Sequence, residues 1–294
     1  MRVGTVAVVG LPNAGKSTLV NRLVGEKVAI VSNKPQTTRK RILGIARTAQ
    51  AEMALVDTPG IHRPEHRMNA AMVRDAADAL STADVAVWVV DASSKSGPGE
   101  GHLLELLRKT NRPVFVALNK IDLVPRPKLL PRIADLSHRH EFAGIVPISA
   151  KTGDGVGALA KAIAEQLPEG EPSYPDDFLT TTPDTEWIGE VIREKLLERT
   201  RQELPFASAV VVESVRENPD KGLTVVTASI VVEKEGQKGI VVGKRGSMIR
   251  EIGTAARQEL EAESGKRYFL DLTVKVRERW RDDERFLSRV VATE

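Results

Sequence analysis

The sequence predicts an α/β domain with a mostly parallel sheet, followed by a smaller α+β domain. From residue 1 to about residue 168, short apolar runs alternate with amphipathic helical patterns. The stretch 169–185 then carries prolines and clustered acids, which is typical of a linker between domains. After it, helices and strands follow one another in a different order. We therefore expect one domain over residues 1–168 and a second over residues 186–294.

Five apolar runs define the first sheet, and a loop rich in Asp, Gly, Asn or Ser follows each of them. They span residues 3–9, 53–56, 85–90, 114–118 and 145–148. Such continuous runs are typical of parallel strands buried on both faces, in sheets that bind ligands at the carboxyl ends of their strands. The second domain is predicted as helix, strand, strand, helix, helix, strand and a terminal helix. Its strands span residues 207–215, 223–232 and 268–276.

Composition and charge narrow the class of protein. The chain has 294 residues, a net charge of +3 and no cysteine, which excludes disulfides and thiolate metal sites and favours a cytoplasmic location. It has no apolar run long enough for a membrane span, and its start leads directly into a strand. Residues 1–170 carry 23 basic and 16 acidic side chains, and the remainder carries 20 and 24. If the second domain binds nucleic acid, we expect it to use a local basic patch.

The pattern G-x-x-x-x-G-K-[ST] fits residues 10–17, between the first strand and a helix. Glycines let backbone N–H groups face phosphate oxygens, the helix N-terminus attracts anions, and Lys16 adds a full positive charge. Ser17 then offers a hydroxyl to Mg²⁺. The predicted phosphate-binding residues are Gly10, Asn13, Ala14, Gly15, Lys16, Ser17 and Thr18. We therefore expect a nucleoside triphosphate and Mg²⁺ as ligands.

Two further segments complete the predicted phosphate site. Asp57 and Gly60 belong to a D-x-x-G motif, in which the carboxylate can hold Mg²⁺ through water and the glycine N–H can approach the γ-phosphate. A threonine upstream can complete the Mg²⁺ coordination when the γ-phosphate is present. Thr38 is favoured, and Thr37 is the alternative. The predicted catalytic residues are Lys16, Thr38, Asp57 and Gly60.

An N-K-x-D motif at residues 119–122 identifies the base. Asp122 can accept hydrogen bonds from N1–H and the 2-amino group of guanine, and adenine offers neither donor. Asn119 can bind the other edge of the base and tie neighbouring loops together, and the Lys120 stem can lie along the ring. Backbone N–H groups of Ser149, Ala150 and Lys151 can face the guanine carbonyl. The ordered motifs predict a guanine nucleotide.

The second domain carries a basic G-x-x-G loop at residues 243–246. A connection between two helices would explain four residues of this kind without any function. The loop also resembles the one with which KH domains hold the backbone of single-stranded nucleotides. Near the last strand, Lys275, Arg277, Arg279 and Arg281 would extend the basic surface, unless they form only a solvated edge. The predicted RNA-binding residues are Lys238, Gly243, Lys244, Arg245, Gly246, Arg250 and Lys275.

At this point the chain resembles the translation-factor-like GTPases, and more narrowly the Era family. The resemblance rests on residues 10–17, 35–39 and 57–62 and on the second domain, and it covers essentially the whole chain. It implies a Ras-like P-loop NTPase domain followed by a type II KH domain. It also implies a monomeric GTP-hydrolysing switch that binds the 3′ end of 16S rRNA during maturation of the small ribosomal subunit.

Two residues refine the expected hydrolysis. Ile61 follows the D-x-x-G motif, where many regulatory GTPases have a glutamine that orients water. A hydrophobic side chain cannot polarise water, so we expect slow hydrolysis unless a partner helps. In related GTPases an asparagine at the position of Asn13 accompanies a bound K⁺. Asn13 is therefore either a K⁺ ligand or only part of the loop structure.

Three other functions are weighed against this one. A metabolic P-loop kinase is disfavoured by Asp122 and by the lack of an acceptor site. An RNA-binding module with an inactive nucleotide site is disfavoured because Lys16, Ser17 and Asp57 are all present. A membrane-associated regulatory GTPase, which couples growth to ribosome assembly through weak peripheral contact with anionic lipid, is the remaining alternative. Peripheral association fits the chemistry, but the G-x-x-G loop favours RNA.

Overall fold

The computed structural model describes residues 1–34, 36–60, 67–201 and 203–290. Two compact units are distinguished within it. Most of residues 1–181 form the first unit, and most of residues 182–290 form the second. Among the described residues, no helix combines the length and the apolar character that crossing a membrane requires.

The first unit contains a six-stranded sheet with helices on both faces. Its strands are β1 (Arg2–Gly10), β2 (Ile42–Arg47), β3 (Ala51–Asp57), β4 (Val85–Asp91), β5 (Val114–Asn119) and β6 (Gly144–Pro147). Its helices are α1 (Lys16–Val24), α2 (Arg67–Thr82), α3 (Pro98–Leu107), α4 (Leu129–Arg139) and α5 (Val156–Gln166). The strand order is β2-β3-β1-β4-β5-β6, and every neighbouring pair is parallel except β2 and β3. The predicted mostly parallel sheet is confirmed.

The central strands are buried on both faces, which explains their continuous apolar sequences. In β1, Val6 and Val8 face one hydrophobic cluster that includes Leu19, and Ala7 and Val9 face another that includes Trp88. Strand alternation produces this division. The arrangement leaves the carboxyl ends of β1, β3, β4 and β5 as the place where polar side chains gather.

Part of the predicted linker is hydrogen-bonded to the outer strand β2. The Arg47 guanidinium donates to the backbone carbonyls of residues 174, 175, 176 and 178 and pairs with the buried Glu52 at 3.2 Å. Glu52 also accepts from the Ser173 N–H at 2.7 Å. The Ile45 N–H donates to the Leu179 carbonyl at 2.8 Å. Residues 169–181 therefore pack with the first compact unit, and the domain boundaries drawn from the sequence remain predictions.

The second unit is a three-stranded sheet covered by helices. Its helices are α6 (Asp184–Arg199), α7 (Leu204–Ala207), α8 (Glu235–Val242), α9 (Ser247–Ser264) and α10 (Glu284–Val290). Its strands are β7 (Ser208–Asn218), β8 (Leu223–Val232) and β9 (Arg267–Val276). Strand β8 lies in the centre, antiparallel to β7 and parallel to β9. The predicted element order is confirmed, with the four-residue helix α7 added before β7.

Candidate nucleotide site and nucleic-acid interface

The loop between β1 and α1 has the backbone that a phosphate cradle requires. Gly15 has φ +95°, and a Cβ there would collide with the amide nitrogen of Asn119. Asn13 is exposed and also has a positive φ of 61°. Lys16 begins α1 and is buried, and its Nζ donates to the Leu11 carbonyl at 3.1 Å. Thr18 lies in the first turn of the same helix, half-buried. The loop thus curves around the ammonium group of its lysine.

Three oxygen-bearing side chains meet beside this loop. Ser17 Oγ donates to Asp57 Oδ2 at 2.6 Å and lies 2.8 Å from Thr38 Oγ1. Thr38 Oγ1 lies 3.4 Å from the same carboxylate oxygen. Asp57 is fully buried, and its Oδ1 has no hydrogen-bond partner in the part of the chain that the structure describes. Two hydroxyls and a carboxylate with an orphaned oxygen are a donor set that fits Mg²⁺.

The two threonines considered from the sequence differ in their surroundings. The Thr38 hydroxyl belongs to this oxygen cluster. The Thr37 hydroxyl donates to the Lys34 carbonyl at 2.6 Å. In this conformation the geometry favours Thr38 as the threonine that contacts a metal ion.

Burial disfavours the charged forms of both Asp57 and Lys16. It raises the pKa of Asp57 against the lowering influence of Lys16, Ser17 and Thr38. It likewise lowers the pKa of Lys16 against the raising influence of Asp57. A cation bound near the carboxylate and an anion bound near the ammonium group would each stabilise the charged forms. The electrostatics therefore suit a metal–phosphate complex.

Asn119, at the end of β5, connects two loops. Its amide nitrogen donates to the Ala14 carbonyl at 2.8 Å, and its oxygen accepts from the Ala150 N–H at 2.9 Å. The side chain is buried, so both bonds are sheltered from water. This geometry agrees with the predicted role of Asn119 in tying loops together.

The other residues predicted to recognise the base lie near the exposed carboxylate of Asp122. Asp122 is exposed, and its Oδ1 accepts from the Ser149 hydroxyl at 2.7 Å. Lys120 adopts a left-handed backbone with φ 66°, and its ammonium group lies 2.7 Å from Asp91. Burial raises the pKa of Asp91, but hydrogen bonds from Lys120 and Ser93 outweigh it and hold the pKa below its ordinary value. The Lys120 stem is thereby fixed at the strand ends.

Two supporting residues were missed by sequence reasoning. Arg22 in α1 donates to the carbonyls of Ala150 and Lys151 at 3.2 and 2.5 Å, and so holds the loop that carries both residues. Nothing in the sequence pattern separates Arg22 from an ordinary exposed helix residue. Asp91, which anchors Lys120, could have been found because it stands at the carboxyl end of a strand.

The D-x-x-G motif lies at the limit of a described segment. A Cβ on Gly60 would lie 2.7 Å from the Pro12 nitrogen, so only glycine fits against the phosphate loop. Ile61, from which slow hydrolysis is predicted, lies outside the described residues. Its expected effect stays a prediction.

In the second unit, the G-x-x-G loop connects α8 to α9. Gly243 has φ +72°, and a Cβ there would lie 2.7 Å from the Met248 nitrogen. Gly246 also has a positive φ of 76°. Lys244 and Arg245 between them are exposed, as is Arg250 one turn into α9. The loop thus presents cations on a tightly turned backbone in which the position of Gly243 leaves no room for a side chain.

A groove of about 450 Å³ runs from this loop between α9 and β9. Phe269, which is 56% exposed, and the apolar side chains of Ile249 and Leu272 line it together with Arg250 and Arg257. Bases stack on aromatic and apolar surfaces while cations hold the phosphates, so this lining suits single-stranded nucleic acid.

Three of the basic residues near the end of β9, namely Lys275, Arg277 and Arg281, are paired with carboxylates. Strand β9 ends at Val276, as predicted, so Arg277, Arg279 and Arg281 lie after the strand, where strand alternation does not place them on one face. Arg277 pairs with Asp283, and Arg281 with Glu233 at 2.6 Å. Lys275 lies on the strand and pairs with Glu213 at 2.6 Å. Lys238, on α8, lies 3.9 Å from Glu235 and is less engaged.

Comparison with known proteins accounts for both units. A family model described as 50S ribosome-binding GTPase matches residues 5–120, and a KH domain model matches residues 203–281. A GTPase Era of Geobacter metallireducens is 45% identical over 289 residues, covering 98% of this chain and 97% of that protein. A GTPase Era of Geotalea uraniireducens is 45% identical over 287 residues, covering 98% and 96%.

Solved structures agree along the whole chain. An Aquifex aeolicus Era variant bound to GDP·AlF4⁻ has a TM-score of 0.95 at 39% identity and covers 99% of each chain. Era in complex with MgGDPNP and nucleotides 1506–1542 of 16S ribosomal RNA has a TM-score of 0.96 at 39% identity and covers 99% of this chain and 98% of that one. A P-loop GTPase domain followed by a KH domain is thereby confirmed. With this similarity over nearly its full length, the chain belongs to the Era family of GTPases.

Proposed function

We propose that this chain binds and hydrolyses GTP with Mg²⁺ and binds single-stranded RNA at the 3′ end of 16S rRNA, acting in maturation of the small ribosomal subunit. The observation that carries the nucleotide part is the orphaned Oδ1 of the buried Asp57 beside Ser17, Thr38 and Lys16. Relatives of known structure support the proposal, since they hold GDP·AlF4⁻ or MgGDPNP with a 16S rRNA segment.

Five residues of the chain would contact the Mg²⁺ ion or the phosphates. Ser17 and Thr38 would hold Mg²⁺ through their hydroxyls, and Asp57 would hold it through water. When bound, the ion neutralises charge that develops on the phosphates during transfer. Lys16 would place its ammonium against the phosphate oxygens. Gly60 would offer its N–H to the γ-phosphate, because no side chain intervenes.

At the other end of the site, Asp122 would accept two hydrogen bonds from guanine. Ser149 already orients this carboxylate. Asn119 would contact the opposite base edge, and Lys120 would lie along the ring. The loop of residues 149–151 would face the guanine carbonyl, held there by Arg22.

The proposed rate of hydrolysis is low without a partner, because Ile61 cannot polarise water. Asn13 is the proposed K⁺ ligand, and its exposed position on the loop leaves it accessible to an ion. Comparing GTP turnover in K⁺ and Na⁺ buffers at equal ionic strength tests this. Equal rates would remove K⁺ from the mechanism.

The RNA proposal rests on the G-x-x-G loop and the adjoining groove. Backbone phosphates would lie against the loop, and bases would enter the groove beside Phe269. The proposed contacts are Lys238, Gly243, Lys244, Arg245, Gly246, Arg250 and Lys275. As a switch, the protein would bind RNA with different affinity in its GDP and GTP forms.

One pair of measurements tests the proposal. We expect Mg²⁺-dependent GTP hydrolysis that Lys16→Ala abolishes, and binding of a 16S rRNA 3′-end oligonucleotide in preference to its scrambled sequence. Repeating the RNA titration with GDP and with a non-hydrolysable GTP analogue tests the switch, and identical affinities would contradict it. The cytoplasmic location and the monomeric state remain part of the proposal. Sedimentation with anionic vesicles tests the alternative, peripheral membrane association.

A further inference from the structure

The KH domain has a second groove at the opposite end of α9 from the G-x-x-G loop. A cavity of about 310 Å³ lies between the start of α6 and the end of α9. Because α9 has 18 residues, this cavity is about 25 Å from the loop. Among the residues that the structure describes, its lining is aromatic, apolar and charged and includes Asp184, Trp187, Ile188, Glu263, Lys266 and Tyr268.

The charges around this groove are mostly negative. Asp184 lies in the first turn of α6, and Glu263 accepts a hydrogen bond from the indole N–H of Trp187 at 3.0 Å. Lys266 is the one lysine in the described part of the lining; it is bound to Glu217 at 2.9 Å, and this hydrogen bond raises the pKa of Lys266. Its main partner is therefore a carboxylate outside the groove, although Asp184 in the lining also interacts with it electrostatically.

The end of α9 adds to this negative character. The helix has no basic residue in its last turn, so the partial negative charge of its C-terminus is not balanced from within the helix. The start of α6 contributes an opposite partial charge, and its first turn carries Asp184 and Glu186, so the side-chain carboxylates are what would repel a phosphate backbone and attract a cation. Nucleic acid is thus a poor ligand for this groove.

We propose that this groove binds an arginine side chain presented by a basic peptide segment of a partner protein. Trp187 and Tyr268 supply ring faces on which a planar guanidinium can stack. Asp184 and Glu263 supply the opposing charge. The cavity is at the lower limit of ordinary small-ligand pockets, near 300 Å³, which suits one side chain. A lysine ammonium is compact and strongly hydrated, and gains less from stacking.

Tryptophan fluorescence of the full-length protein can report on this groove directly. Trp88 and Trp280 are fully buried, whereas Trp187 is half-buried at the groove. We expect acetyl-Gly-Arg-Gly-amide to change the emission of Trp187 saturably. The citrulline peptide, which is neutral and of nearly the same shape, should have no effect, and the lysine peptide should bind more weakly.

Charge-neutral variants assign the effect to the groove. Glu263→Gln keeps an acceptor for the Trp187 N–H but removes the charge, and Asp184→Asn removes the second charge. Each should weaken arginine-peptide binding about two- to fivefold, as exposed charge pairs do. Glu278→Gln, at an exposed carboxylate of the same domain that does not line the groove, should leave binding unchanged.

Several results would contradict binding of an arginine side chain in this groove. Equal responses to the arginine and citrulline peptides, or no saturable response, would overturn it. So would an equal response to the lysine peptide, or Glu263→Gln and Asp184→Asn variants that bind like the unaltered protein. A stronger Trp187 response to a single-stranded RNA oligonucleotide would assign the groove to nucleic acid instead. These outcomes do not depend on the function proposed for the G-x-x-G loop.

Discussion

Asn119 donates its amide N–H to the carbonyl oxygen of Ala14 at 2.8 Å, joining the base-recognition motif to the phosphate loop. Its oxygen accepts from Ala150 at 2.9 Å, so one buried side chain holds three loops in register. The two ends of the nucleotide site are therefore not independent. A substitution in the base-recognition motif should therefore also alter how the phosphate loop binds the phosphates.

Asn119→Ala should weaken GDP and GTP binding together, by about 10- to 100-fold. The reason is that two buried backbone groups lose their partners, at about 1–3 kcal/mol each if they remain unpaired. The nucleotide-free protein bears part of this cost as well, and the remainder, about 1.4–2.8 kcal/mol, corresponds to the expected loss of affinity. Equilibrium titration with a fluorescent guanine nucleotide measures the effect. Asn111→Ala, at an exposed asparagine of the same domain, is the control and should bind normally. Unchanged affinity in Asn119→Ala would show that the loops hold their positions without this side chain.

Asp122→Asn should shift the base preference from guanine to xanthine. The asparagine amide can donate to the 2-oxo group of xanthine, but it cannot accept from both guanine donors. We expect GTP affinity to fall by about 10²- to 10⁴-fold, the range for polar mismatches in a site built for hydrogen bonds. Competition between GTP and XTP measures it. Asp220→Asn, in the second unit, serves as the control, and a variant that still prefers GTP would refute the assignment.

Asp57 should make the stability of the nucleotide-free, metal-free protein depend on pH. Burial raises the folded-state pKa of Asp57 above its ordinary value of 3.8, so the unfolded chain loses this proton first. The free energy of unfolding should therefore fall as pH rises from 3.8 through the raised pKa. Asp57→Asn lacks this contribution, so its stability relative to the unaltered protein should increase over that interval and then level off.

Denaturant titrations at several pH values measure this difference. Adding Mg²⁺ with GDP should restore stability to the unaltered protein but much less to Asp57→Asn. Parallel pH profiles for the two proteins would show that Asp57 ionises normally in the folded state.

Replacing Lys244 and Arg245 together by glutamate should lower RNA affinity at least 10-fold and reduce its salt dependence, because fewer cations meet the phosphates. Basal GTP hydrolysis should be unchanged. Lys275→Glu should have a smaller effect, since Lys275 is already paired with Glu213. Replacing the exposed Lys109 and Lys161 of the first unit together by glutamate controls for the change in net charge. An RNA affinity that follows net charge alone would contradict a local site.

Arg47→Ala should destabilise the first unit by about 2–4 kcal/mol, because it frees several carbonyls and leaves the buried Glu52 without its ion pair. Arg112→Ala, at an exposed arginine, should have little effect. For the same reason a fragment of residues 1–181 should melt at a higher temperature than a fragment of residues 1–168. Equal melting temperatures would place the domain boundary at residue 168.

Much of the nucleotide site could be predicted because its motifs are local. Residues 10–17 and 119–122 each combine a strand end with a loop whose residue types have few other uses. Their meeting in space follows from the parallel sheet, which brings the carboxyl ends of β1 and β5 to one edge.

Contacts between distant, chemically ordinary residues could not be predicted. Arg47 and the carbonyls of residues 174–178 are more than 120 positions apart, and an arginine has many possible partners. The hydrogen bonds from Arg22 to the loop of residues 149–151 could not be predicted for the same reason. The ion pairs of Arg277 with Asp283 and of Arg281 with Glu233 could not be predicted either, although the end of β9 at Val276 was predicted correctly.

The outer position of β2 gives the residues that follow α5 a protective role. An uncovered outer strand offers a row of free N–H and C=O groups to any other chain, which is a common route to self-association. Here Ile45 pairs with Leu179, and Gly44 forms a bridge with Thr180. The opposite outer strand, β6, has only four residues. The segment of residues 169–181, whose composition predicts only a linker, therefore covers the longer of the two edge strands and protects the sheet against aggregation.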